Sequence, residues 1–214
     1  MNSVKKLRIG ILFGGRSSEH EVSVASAASV ISNLDPNRYE PVPIYINQKG
    51  RWMLPNKAPT TSSAAEIIQN SRSRARSKDS TNHEVHLRIQ PDDYSLLTIR
   101  RGPSGTNDSA QNIINMIGLD VIFPVVHGPY GEDGTIQGLF ELSNVPYVGA
   151  GILASAIGMD KAVTKTLFRA HSLPIVDFAV VLASQWEASR DRTLDELTSC
   201  FDFPLFVKPA NLGS

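Results

Sequence analysis

The chain has 214 residues, 41% of them hydrophobic and 20% charged, and its 21 Lys and Arg are balanced by 21 Asp and Glu. With glycine added, the apolar share reaches about half, an ordinary globular composition that can bury a core without metal or disulfide staples. Zero formal charge argues against nucleic acid or an anionic membrane as partner. The single cysteine, Cys200, excludes an internal disulfide and fits a reducing compartment. The start, MNSVKKLRIGILFGG, has the charged opening of a secretory signal, but its apolar stretch is broken by Arg8 and lacks a cleavage-like site. No apolar run approaches the roughly 20 residues that cross a bilayer. A cytoplasmic protein is expected.

Leu7–Phe13 is an apolar run entering Gly14-Gly15 and reads as a buried first strand. Val24, Ala27, Ala28, Ile31 and Leu34 then mark one face of a helix, with Ser18 and Glu21 spaced as a capping box and Asp35-Pro36 as its end. Pro41–Asn47 reads as a second strand, completing a βαβ unit. Residues 55–110 read as an irregular insert. Its basic run at 71–82 (Arg72, Arg74, Arg76 and Lys78 against Asp79) has no interleaved aromatics, so a solvated loop is favoured over an anion-binding arm. Glu84–Ile89 and Tyr94–Ile99 are candidates for a hairpin. The spacing of Ile113, Ile114 and Ile117 predicts a helix over 109–117, stopped by Gly118. Asp120–Val126 reads as a buried strand, the segment bearing Ile136, Leu139, Phe140 and Ser143 as a helix, Val145–Gly149 as a short strand and 150–158 as helical. A helix with Val163, Leu167 and Ala170, a strand over Pro174–Leu182, a helix over Trp186–Phe201 and a last strand over Pro204–Val207 complete the pattern. Strands alternating with helices predict an α/β fold with a doubly wound, mostly parallel sheet. Because the sequence stops in a Gly-bearing loop just after an apolar run, it reads as one domain, 1–150, followed by the beginning of another, 151–214.

Three constellations carry chemistry. In GGRSSEHE (14–21), Gly14 and Gly15 allow a sharp turn and close approach to a ligand. The third glycine of a dinucleotide fingerprint is absent, and Glu19 stands where a phosphate needs positive surroundings. Glu19 suits a cationic substrate group such as an ammonium; equally, it and Glu21 complement the helix dipole. In HGPYGEDGT (127–135), glycines surround His127 at the carboxyl end of a strand, where open α/β sheets bind ligands. His127 is thus a candidate binding residue rather than only a loop histidine, whereas Glu132 and Asp133 read as cap and loop-bracing residues. Lys161 and Lys208 could clamp a polyphosphate, Lys208 directly following an apolar strand; a solvent-facing lysine is the alternative.

KLRIGILFGGRSSEHEVSVASA, VIFPVVHGPYGEDGTIQGLFELSNVPYVGAG, GMDKAVTKTLFRAHSLP and FPLFVKPANLGS together, in this order, resemble the D-alanine–D-alanine ligase family of ATP-grasp carboxylate–amine ligases. The blocks cover most of the chain outside 50–115 and 183–200, and the combination is far more specific than any one block. The resemblance implies a Rossmann-like N-terminal ligase domain followed by the start of an ATP-grasp domain. It also implies ATP-dependent joining of two D-alanines through an acyl phosphate for peptidoglycan synthesis, with Mg²⁺ or Mn²⁺.

By position, Glu19 matches the glutamate that holds the first D-alanine's ammonium and anchors a hydrogen-bonded triad. Ser214 matches the triad's serine, His127 the histidine near the first D-alanine, and Lys161 and Lys208 the two lysines on the ATP phosphates. The family's metal-binding carboxylates would follow Ser214, so no metal ligand is expected in this chain, and residues 1–214 alone are expected to be inactive. A homodimer is compatible with this reading; neither nucleic acid nor membrane is an expected partner. A non-catalytic binding fragment, or an ATP-grasp ligase for another carboxylate or a D-hydroxy acid, are the alternatives. The choice among D-alanine, D-lactate and D-serine as second substrate is not legible.

Overall fold

A computed structural model describes residues 5–55, 83–90, 93, 95–100 and 113–212. The chain divides into two compact units, Met1–Ala156 and Ile157–Ser214.

The first unit is built on a seven-stranded sheet. In chain order it contains β1 (Leu7–Gly14), α1 (His20–Asn33), β2 (Tyr39–Ile46), β3 (Trp52–Leu54), β4 (His83–Leu87), β5 (Ser95–Arg100), β6 (Ile113–Gly118), β7 (Val121–Pro124) and α2 (Thr135–Leu142), and α3 (Ile152–Met159) runs across the division between the units. The strand order is β6-β5-β4-β3-β2-β1-β7. β1 pairs in parallel with β2 on one side and β7 on the other, and a parallel bridge joins Ile122 to Tyr147.

The α/β expectation holds, but the sheet is mixed rather than mostly parallel. From β2 outward every pairing, β2·β3, β3·β4, β4·β5 and β5·β6, is antiparallel. The reason lies in the connections. Parallel neighbours need a crossover of a dozen or more residues, as α1 supplies, whereas β2 returns directly through the Asn47–Arg51 turn, in which the Asn47 side chain accepts from the backbone of Lys49 and Arg51. The expected hairpin forms, with Glu84 opposite Ile99 and Leu87 opposite Leu96. It belongs to the main sheet rather than to an irregular insert, because Val85 and Leu96 reach the core. The basic run 71–82 lies outside the described residues.

From Ile9 onward β1 is buried on both faces, which is why Ile9–Phe13 reads as an unbroken apolar run. Ile9, Ile11 and Phe13 pack with Ala27, Val24 and Ile31 of α1, while Leu12 packs on the opposite face with Ile44, Ile122, Ile136 and Phe140. β7 and its continuation divide in the same way, Val125 joining the first cluster and Ile122 and Val126 the second. The β4–β6 extension adds Val85, Leu96 and Ile117 to the second cluster.

Several local expectations change. Residues 113–118 form a strand, not a helix, because Ile113 to Gly118 pair with β5 along its full length. Val145–Gly149 contributes only the single bridge at Tyr147. The Ser18–Glu21 capping box does not form: α1 has Glu19 at its N-cap with no side-chain cap, and Ser17 supplies the local hydrogen bond instead.

The second unit contains α4 (Lys161–Ala170), α5 (Ala183–Ala188) and α6 (Arg190–Cys200). Asp160 caps α4, accepting from the backbone N–H groups of Ala162 and Val163 at 2.9 Å each. The expected helix over 186–201 is split at Ser189. The apolar runs 174–182 and 204–207 form no strand among the described residues. Lys165 and Arg169 instead stack on Phe178, and Phe206 and Val207 are exposed. No helix among the described residues is long and apolar enough to cross a membrane.

Candidate functional site

β1 and β7 lie side by side and parallel, yet α1 leaves toward one face of the sheet and α2 toward the other. Loops that diverge in this way open a crevice beyond the carboxyl ends of the strands, the point where open α/β sheets take ligands. The two loops there are 14–19 and 125–134, and they carry two of the three constellations read from the sequence.

The first loop turns at Gly14 (φ +92°), where a Cβ would lie 2.2 Å from the carbonyl oxygen of Ile46. Only glycine fits. The Gly14 N–H donates to Ser23 Oγ (2.8 Å) and the Gly15 N–H to the Ile46 carbonyl (2.8 Å), so both amides are committed to the fold. Ser23, fully buried on α1, also donates to the Val125 carbonyl at 2.5 Å and so fastens the ends of β1 and β7 to one helix. His20, 4% exposed, has Nδ1 at 2.7 Å from the Gly15 carbonyl and Nε2 at 3.1 Å from the Tyr45 hydroxyl. These contacts fix the turn that delivers Glu19.

Ser17 joins the two loops. Its hydroxyl donates to the His127 carbonyl (2.7 Å) and accepts from the Glu19 N–H (3.2 Å). Glu19 Oε2 then lies against Gly128 (φ +72°), at whose position a Cβ would come within 2.8 Å of that oxygen. The structure therefore brings Glu19 and the His127 loop together. The His127 ring is held at both nitrogens, with Nδ1 3.4 Å from Glu132 Oε1 and Nε2 3.2 Å from Ser26 Oγ. The other oxygen of Glu132 accepts from the Gly128 N–H at 2.8 Å. The Arg16 guanidinium lies over the Tyr130 ring, 4.9 Å from its centroid.

Asp133 braces the second loop by accepting from the backbone of Tyr130 (2.9 Å) and Thr135 (3.0 Å). Partial burial works to raise its pKa, but these backbone donors and the Thr135 hydroxyl outweigh it and hold the carboxyl below its ordinary value. Gln137 of α2 donates to the Gly131 carbonyl at 2.9 Å, tying the far end of the loop.

In the second unit, Lys161 opens α4 and is tied to the segment that follows Lys208. Its backbone N–H donates to the Ala210 carbonyl (3.0 Å) and its ammonium to the Leu212 carbonyl. Lys208 itself is exposed. The start of α4 is thus joined to the segment 210–212, which follows Lys208 in the chain. Ser214 lies outside the described residues. Among the described residues no group of three or more His, Cys, Asp or Glu is placed to hold a metal ion. Ser17, Ser23, Ser26 and His20 were not singled out from the sequence; the one available signal was small polar residues interrupting the apolar face of α1.

A family model described as D-ala D-ala ligase N-terminus matches residues 8–150, and one described as D-ala D-ala ligase C-terminus matches 167–214. The chain is 46% identical over 213 residues to the D-alanine–D-alanine ligase of Rhodococcus jostii, covering 99% of this chain and 53% of that one. It is 42% identical over 209 residues to the D-alanine–D-alanine ligase of Heliobacterium modesticaldum, covering 98% and 51%. Among solved structures, the VanG D-Ala:D-Ser ligase of Enterococcus faecalis superposes with a TM-score of 0.72 at 29% identity, covering 98% of this chain and 54% of that one. The D-alanine-D-alanine ligase of Coxiella burnetii superposes at 0.68 with 33% identity, covering 99% and 53%. The chain therefore spans about half the length of the relatives it matches. With one family model covering residues 8–150 and relatives aligned over nearly every residue of the chain, the protein belongs to the D-Ala–D-Ala ligase family.

Proposed function

We propose that this chain carries the first-substrate half of an ATP-dependent, cytoplasmic D-alanine–D-alanine ligase acting in peptidoglycan synthesis. The observation that carries the reading is the seating of Glu19 at the crevice between β1 and β7, tied through Ser17 and Gly128 to the His127 loop. A carboxylate fixed at that point accepts hydrogen bonds from a substrate ammonium, which is the charged group a D-amino acid offers beside its own carboxylate. Gly14 and Gly15 shape the turn that sets Glu19 at the mouth, and His127 closes the other side. When bound, ATP supplies the phosphoryl group that activates the first D-alanine's carboxylate. Lys161 and Lys208 would hold its phosphate oxygens from the start of α4 and the segment around Ala210. Ser214, by family likeness, would hydrogen-bond with Glu19. Among the described residues no carboxylate or histidine cluster fits Mg²⁺ or Mn²⁺.

The test is phosphate release from ATP dependent on D-alanine, measured for wild type and Glu19→Gln in a chain completed to the full length of its relatives. The amide keeps the shape but loses a charge-assisted contact worth about 1.5–3 kcal/mol, so kcat/KM for D-alanine should fall roughly ten- to a hundredfold. Unchanged kinetics would return Glu19 to the role of a helix-dipole partner. D-serine as second substrate is an alternative supported by the likeness to the VanG D-Ala:D-Ser ligase, and product analysis with both amino acids separates the two.

A further inference from the structure

His127 is the only ring in the second loop with a partner at each nitrogen among the described residues, and the two partners differ in what they can do. Ionised Glu132 is an acceptor only, so the nitrogen facing it must carry a proton; the Ser26 hydroxyl can donate or accept. Glu132 is itself pinned, since its second oxygen takes the Gly128 N–H at 2.8 Å. One carboxylate therefore spans a backbone amide and the adjacent ring, while α1 contributes Ser26 from a distant part of the sequence at 3.2 Å.

We propose that Glu132 is a positioning residue that locks neutral His127 as the Nδ1–H tautomer. Nε2 then accepts from the Ser26 hydroxyl, and His127 has no ring N–H left over to donate to a ligand. The same carboxylate fixes Gly128, on which Glu19 Oε2 rests, so Glu132 sets the place of the ammonium-binding carboxylate without touching substrate. This last consequence rests on the D-alanine reading above; the tautomer does not.

Glu132→Gln separates the effects. Its amide oxygen can keep the Gly128 N–H, which turns the amide NH₂ toward Nδ1 and demands an acceptor there. The tautomer should reverse, with Nε2–H donating to Ser26. Two-bond ¹H–¹⁵N correlation spectra of His127, recorded above the histidine titration range, read this directly. The expected result is a protonated Nδ1 in wild type and in Ser26→Ala, and a protonated Nε2 in Glu132→Gln. A protonated Nε2 in wild type, or one tautomer unchanged between wild type and Glu132→Gln, overturns the proposal. D-alanine titration followed in the same spectra should show several-fold weaker binding for Glu132→Ala, which loses the Gly128 contact, and near-wild-type binding for Glu132→Gln, which keeps it; wild-type affinity in Glu132→Ala would remove the link to Glu19. Failure of wild type to bind D-alanine would instead count against the ligase reading and leave the tautomer result standing.

Discussion

Residue type made Glu19, His127 and the lysines candidates: a carboxylate where a phosphate site would need cations, a histidine among glycines, a lysine directly after an apolar run. What could not be read was how they are held. Ser17 and Ser26 reach His127 across 110 and 101 residues of sequence, so no local pattern announces them. Asp133 is the opposite case, since its partners are two and three residues away and its bracing role follows from spacing alone. That role has a pH signature. The folded-state pKa of Asp133 is depressed below 3.8, so the folded state binds the proton less readily than the unfolded one. Its contribution to stability is fully present above the unfolded pKa and is lost as pH falls through the folded value. Thermal unfolding of wild type and Asp133→Asn should therefore differ at neutral pH and converge as pH drops below about 4. A gap in melting temperature that stays constant across this range would mean that the carboxylate charge is not what holds the loop.

The elements read most securely were those whose packing leaves a mark in sequence. β1 is buried on both faces from Ile9 onward and gives a continuous apolar run there, and α1 shows its apolar face at helical spacing. The misreadings fall where a pattern fits two structures. Ile113, Ile114 and Ile117 suit a helix face, but β-branched residues in a short run suit a strand equally, and pairing with β5 decides. Likewise, 174–182 and 204–207 are apolar enough for strands, yet periodicity reports an apolar face and never a partner. The antiparallel turn from β2 into β3 escaped for the same reason: alternation of strand and helix suggested a crossover, whereas the Asn47–Arg51 turn makes a hairpin. One side chain does the work of fixing elements to each other. Ser23 joins α1 to the ends of both β1 and β7. Ser23→Ala leaves a buried N–H and a buried carbonyl without that partner, which should cost about 1–3 kcal/mol. Urea unfolding should show this as a lower midpoint with an unchanged slope. A loss below about half a kcal/mol would mean that the two loops are held together without it.

For the molecule as a whole, the order of the sequence blocks identified the family, whereas zero net charge and one cysteine only narrowed its class. The switch point between β1 and β7 is the physical reason for proposing the amino-acid site in the first unit: a crevice opens where helices leave a sheet in opposite directions. The residues proposed for nucleotide phosphates, Lys161 and Lys208, lie in the second unit, whereas Glu19 and His127 lie in the first. Binding at the two places should therefore be separable by mutation. A ligand that binds only the folded state adds about 2.7 kcal/mol when present at 100 times its Kd, enough to raise the unfolding temperature measurably. D-alanine should raise it in wild type and in Lys208→Ala but not in Glu19→Gln. ATP should raise it in wild type and in Glu19→Gln, and less or not at all in Lys208→Ala. If Glu19→Gln abolished both shifts together, the division of labour between the units would be wrong and Glu19 would belong to a single composite site.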